Sequence, residues 1–85
     1  MITEEKEVKN YFLKEFSLFD GEYDVILNIV DINFDKMTIT VNVSRAGKLY
    51  LQEFDLKRDR ENDLYFQYGI DDTNIKVDDF ETISD

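Results

Sequence analysis

The sequence predicts an α+β fold, with an N-terminal helix packed on a four- or five-stranded, mostly antiparallel β-meander. Three observations predict it. Apolar residues near the N-terminus recur at helical spacing, those from position 24 onward recur at every second position, and the alternating runs follow one another closely enough to pair as hairpins. A small curled barrel with the helix plugging one end is the main alternative, suggested by the near-continuous apolar run VILNIV at 25–30.

The helix is placed at residues 4–17. Thr3 caps it, and Glu4 and Glu5 follow where the helix dipole favours negative charge; Lys6 denies it a full capping box. Val8, Phe12, Phe16 and Phe19 form one stripe with Tyr11 beside it, and Asp20-Gly21 supplies the stop.

The strand region opens with DVILNIVDINF at 24–34 and MTITVNVS at 37–44. Folding these about Asp35-Lys36 sets Phe34 against Met37, Ile32 against Ile39 and Val30 against Val41 on an inner face. Asp31 with Thr40 and Asn33 with Thr38 lie on an outer one. A second hairpin turns at Arg45-Ala46-Gly47 and pairs Val43 with Leu49 and Val41 with Leu51. Continuing that register to Phe54 and Leu56 requires a β-bulge near Gln52 or Glu53. Beyond the polar segment 57–63, pairing Leu56 with Leu64 and Phe54 with Phe66 points Leu64, Phe66 and Tyr68 inward, and Tyr65 and Gln67 outward. NDLYFQYG at 62–69 resembles the processing site E-N-L-Y-F-Q-G, but Asp63 and Tyr68 interrupt it and the stretch reads as a native strand. Residues 71–85 are either an edge strand, with a strand signal at 75–77, or a partly ordered acidic tail; the whole chain, 1–85, reads as one domain.

Composition removes much chemistry. The chain has no cysteine and no histidine, so thiolate or imidazole zinc sites, Cys-His pairs and Ser-His-Asp triads are all excluded. No enzyme activity, cofactor or metal site is expected. Asp31, Asn33 and Asp35 take the first, third and fifth positions of a calcium loop, but Lys36 stands where glycine is needed and Asn42 where glutamate is. DDTN at 71–74 reads as an Asx-type turn. No run of 18 apolar residues and no basic-plus-apolar leader is present, so no membrane contact and a cytoplasmic location are expected.

Charge carries the functional expectation. The formal net charge is −10, and residues 61–85 hold eight carboxylates against one basic residue, Lys76. Direct nucleic-acid binding is disfavoured by this field, and Lys57, Arg58 and Arg60 are interleaved with Asp55, Asp59, Glu61 and Asp63. The expectation is an acidic protein-binding module, an inhibitor or nucleic-acid mimic, that engages a basic surface of a nucleic-acid-processing protein. Asp71, Asp72, Asp78, Asp79 and Glu81 would meet Lys or Arg, with Tyr65 as an aromatic anchor. The bland explanation is a solubilising surface. The alternative function is a structural or assembly domain in which a homodimer covers Tyr50 and Tyr65.

Overall fold

The computed structural model describes residues 14–82, and among these the chain is built of strands. In chain order they are β1 (Lys14–Phe19), β2 (Asp24–Asn33), β3 (Thr38–Arg45), β4 (Lys48–Asp55), β5 (Lys57–Arg58), β6 (Leu64–Tyr68), β7 (Thr73–Lys76) and β8 (Glu81–Thr82). The single helical element among the described residues is a 3-10 turn, Val77–Asp79. They form two antiparallel sheets, a larger one ordered β4-β3-β2-β1-β8 and a smaller one ordered β5-β6-β7.

The α+β expectation is therefore corrected to a two-sheet β fold over the described residues. Its helix ended at residue 17, yet residues 14–17 belong to β1; residues 4–13, with Val8, Tyr11 and Phe12, lie outside the described residues. The physical reason is a competing period. From Lys14 onward Phe16 and Leu18 alternate with Glu15 and Ser17, and pairing Phe16 with Leu27 and Leu18 with Val25 places both on the core. Phe19, assigned to the helical stripe, falls on the other phase and is 65% exposed.

The core lies between the sheets. Val25, Leu27 and Ile29 of β2 and Ile39, Val41 and Val43 of β3 face Leu64, Phe66 and Tyr68 of β6, with Leu56, Ile75, Val77 and Phe80 closing the layer. Two half-covered sheets bury their apolar faces against each other, which removes the need for a helical cover. A run of aromatic contacts crosses the layer, with ring centroids 5.6 Å apart for Phe16–Phe80, 6.3 Å for Phe80–Phe66, 5.0 Å for Phe66–Phe54 and 5.9 Å for Phe54–Tyr68. Phe54 and Phe66 thus meet across the sandwich, their rings tilted by 34°, and not as ladder neighbours. The ladder of β5 and β6 pairs Lys57 with Tyr65, two residues out of the predicted register but with the same faces inward.

The two large hairpins differ from expectation for separate reasons, a bulge in the first and the turn of the second. β2 and β3 keep Ile32 opposite Ile39 and Asp31 opposite Thr40, but Ile29, not Val30, opposes Val41. Val30 is the extra residue of a β-bulge and is pushed outward. β3 and β4 are joined by two residues, Ala46 (φ 54°) and Gly47 (φ 76°), both left-handed as the tightest twisted hairpins require. That turn sets Val43 opposite Tyr50 and Val41 opposite Gln52, so the pairing runs unbroken to Ile39–Phe54 and the bulge predicted near Gln52 is absent. Leu49 and Leu51, predicted inward, lie on the outer face and are 67% and 64% exposed.

Candidate protein-binding face

The outer face of the larger sheet follows from these registers. Its projecting positions carry six carboxylates, Glu15, Asp24, Asp31, Glu53, Asp55 and Glu81. No basic side chain projects from it among the described strands, because Lys14, Arg45 and Lys48 all fall on the opposite phase. Thr38, Thr40, Asn42 and Ser44 fill the centre, and Ile26, Val30, Leu49 and Leu51 add exposed aliphatic surface. Glu15 and Glu81 stand directly opposite each other across β1 and β8, an arrangement of like charges that costs stability. Asp31 and Glu53 flank Thr40 from either side, about 10 Å apart at the usual strand spacing.

At the β8 edge the face deepens into a shallow pocket of about 280 Å³ lined by Glu15, Phe16, Ser17, Asp79 and Glu81. This lies at the small end of ligand pockets and suits one side chain better than a whole metabolite. The three acidic residues lining it suit a guanidinium or ammonium by charge.

The sequence-chosen acidic residues are divided by the fold. Asp79 and Glu81 reach this pocket, with Asp78 beside them on the 3-10 turn. Asp71 and Asp72 sit in the β6–β7 turn, where Asp72 takes a left-handed φ of 51° and its N–H donates to the Gly69 carbonyl at 3.2 Å. The length of β7 separates them from the others, roughly 13 Å for four extended residues. Tyr65 projects from the outer side of the smaller sheet, half-buried between Lys57 and Lys76 on the flanking strands, so its cross-strand neighbours are basic. Tyr50 points from β4 toward Tyr68 and is 43% exposed; Phe80 is buried.

Arg45 and Lys76, away from this face, are held by carboxylates. Arg45 donates to Asp20 and Glu22 and lies 4.7 Å from the centre of the Tyr23 ring. Asp20 also accepts from the Glu22 and Tyr23 N–H groups at 2.9 and 2.8 Å. These backbone donors, led by Tyr23, together with Arg45, bring its carboxyl down to about 2. In the β5–β6 loop, carboxylate oxygens of Asp59, Glu61 and Asp63 lie within 4.8 Å of one another. Lys76 stands 3.4 Å from Asp59 and 3.6 Å from Asp63, supplying counter-charge to the group. Hydrogen bonding from the Asp63 N–H is the chief reason that Asp59 titrates low, and the bond to Asp59 raises Lys76.

These features define a small two-sheet antiparallel β domain with one uncompensated acidic face. No family model matches the chain, and no curated protein or solved structure matches it either. Sequence reasoning missed Glu15, Asp24, Asp31, Glu53 and Asp55 because it sought acids close in sequence. The available signal was the strand phase: in 24–33 and 48–55 the positions opposite in phase to the core hold acids and no base.

Proposed function

We propose that this chain is a cytoplasmic protein-binding module, not an enzyme, whose outer sheet face engages a basic surface of another protein. The carrying observation is a face from which no basic side chain of the described strands projects, with six carboxylates around exposed aliphatic residues and a side-chain-sized acidic pocket at one edge. Desolvated aliphatic area provides contact energy, while the surrounding charge steers encounter and selects sign. Inhibition of a nucleic-acid-processing protein by charge mimicry is the finer form of this reading. B-DNA carries one charge per about 1.7 Å of axis, far denser than carboxylates on alternate strand positions, so the mimicry extends to sign and rough spacing only. Asp79 and Glu81 hold a Lys or Arg in the pocket, and Asp71, Asp72, Asp78 and Tyr65 lie outside the primary contact.

The test uses the full chain as bait in lysate of its source cell, beside an equally acidic unrelated domain and a variant with the six face carboxylates changed to amides. The expected result is a basic protein captured by the wild type alone, and released between about 0.1 M and 0.5 M salt as screening shortens the field. Equal capture by all three baits contradicts the reading.

A second reading, a structural homodimer, is favoured by the aliphatic residues Leu49 and Leu51 and the exposed Tyr50 on the edge strand β4. Mass measured against concentration decides it: a dimer is expected if this reading holds, and a monomer at every concentration removes it.

A further inference from the structure

We propose that β4 is a strand-addition site for an extended basic segment of the partner, an inference that rests on the acidic-face reading and gives its binding mode. β4 ends the larger sheet, and none of the described strands pairs with its outer side. The other sheet edges are short: β5 and β8 have two residues each and β7 has four, whereas β4 offers eight. Natural proteins guard long edges with proline, bulges or inward charges. This chain has no proline, β4 pairs without a bulge, and its one inward charge, Lys48, stands at the very end.

The two-residue turn decides which backbone groups are free. It makes Arg45–Lys48 a hydrogen-bonded pair, so by alternation Tyr50, Gln52 and Phe54 also spend their N–H and C=O groups on β3. Leu49, Leu51, Glu53 and Asp55 direct theirs outward, and the same four side chains lie on the acidic outer face. An added antiparallel strand therefore meets backbone donors and acceptors together with a side-chain code. It needs basic residues opposite Asp55 and Glu53 and apolar residues opposite Leu51 and Leu49, separated by residues facing the other side. Charge favours such a segment over a second copy, which would set two chains of net charge −10 edge to edge and extend the acidic face.

The probe is a capped peptide reading lysine-threonine-arginine-threonine-valine-threonine-isoleucine, added to the full chain while amide exchange is followed by NMR. Slowed exchange at Leu49, Leu51 and Glu53 is expected, while Tyr50, Gln52 and Phe54 are slow from the start. N-methylation of the arginine and valine, whose N–H groups face β4, should weaken binding by about tenfold or more through loss of two hydrogen bonds; methylating two threonines should not. Leu51→Pro removes an outward donor and no ladder bond, and should abolish edge protection; Leu51→Lys, which keeps the backbone intact, should weaken the peptide as well. Binding that is salt-sensitive, indifferent to N-methylation and without edge protection overturns strand addition but leaves the acidic face as the binding surface. Failure of both this peptide and polylysine to bind overturns both. Edge protection that grows with protein concentration without peptide, alongside a dimeric mass, assigns the edge to a second copy and overturns the basic segment.

Discussion

The Asp20 carboxylate is the clearest case of one residue organising its surroundings. It caps the β1–β2 loop through two backbone N–H groups and anchors Arg45, which in turn covers the Tyr23 ring. Its folded value near 2 lies below the ordinary 3.8, so its contribution is complete above about pH 4 and is lost as pH falls toward 2. Asp59 is shifted in the same direction and adds to the same acid limb. At the other extreme, burial raises the Tyr68 phenol and the bond to Asp59 raises Lys76. Both contributions hold below the unfolded values near 10 and disappear as pH rises through the higher folded ones. With no histidine in the chain, thermal stability should be flat from about pH 5 to 9. Asp20→Asn, which keeps an acceptor for the loop but loses the charge, should lower that plateau and flatten the fall between about pH 4 and 2. Melting curves across pH check both; a steep transition near neutrality contradicts the assignment.

At the scale of the element, the two-residue β3–β4 turn decides which face of β4 meets solvent, against the sequence-based expectation. Ala46 sits at φ 54°, and at Gly47 an added Cβ would meet nothing within 4 Å, so a substitution at Gly47 acts through backbone conformation alone. Gly47→Ala should destabilise by about 1–2 kcal/mol. Ala46→Gly relieves the same strain and should stabilise by roughly 0.5–1 kcal/mol, since glycine's extra freedom in the unfolded chain offsets part of the gain. Urea denaturation measures both, and equal effects of the two changes would argue against a turn with two left-handed residues. The inward faces of β3 and β6 and the Ile32–Ile39 pair were legible from alternation, whereas the bulge at Val30 moved the inward phase of β2 to Ile29, Leu27 and Val25. The face of β4 was not legible, since one residue more in the turn exchanges Leu49 and Leu51 for Tyr50 and Gln52. Placing two leucines on the solvent face contradicts the usual hydrophobic preference, and sequence reasoning inserted a bulge to avoid it. For β1 the difficulty was of another kind: Phe16 fits both a helical stripe and a strand, and the pairing of Phe16 with Leu27 and Leu18 with Val25 overrode the helical spacing. Of the candidate site, Asp79 and Glu81 were legible as acids, but their meeting with Glu15 depends on β8 returning to pair with β1, a contact far apart in sequence.

For the molecule as a whole, the acidic face opposes folding while equipping the chain to bind. A domain of 85 residues buries only about 60–65% of its unfolded surface and has little stability to spare. Its six face carboxylates are held on one rigid sheet, two of them directly opposed, whereas unfolding lets them separate. Each exposed pair contributes little: two charges 10 Å apart in water repel by about 0.4 kcal/mol before screening. The repulsions share a sign, however, and no basic side chain of the described strands projects from the face to offset them. Changing Glu15, Glu53 and Glu81 to Gln and Asp24, Asp31 and Asp55 to Asn should therefore raise stability by about 1 kcal/mol at low ionic strength. Salt should stabilise the wild type more than this variant, because screening removes a repulsion that only the wild type retains. The same six changes are expected to abolish capture of a basic partner. A variant that melts higher yet no longer binds separates loss of recognition from loss of fold, as residues kept for binding at the expense of stability should behave. Lower stability, or an unchanged response to salt, would show that local hydrogen bonds made by these carboxylates outweigh their mutual repulsion. The acidic face would then be a structural feature, and its lack of cations would no longer point to a partner.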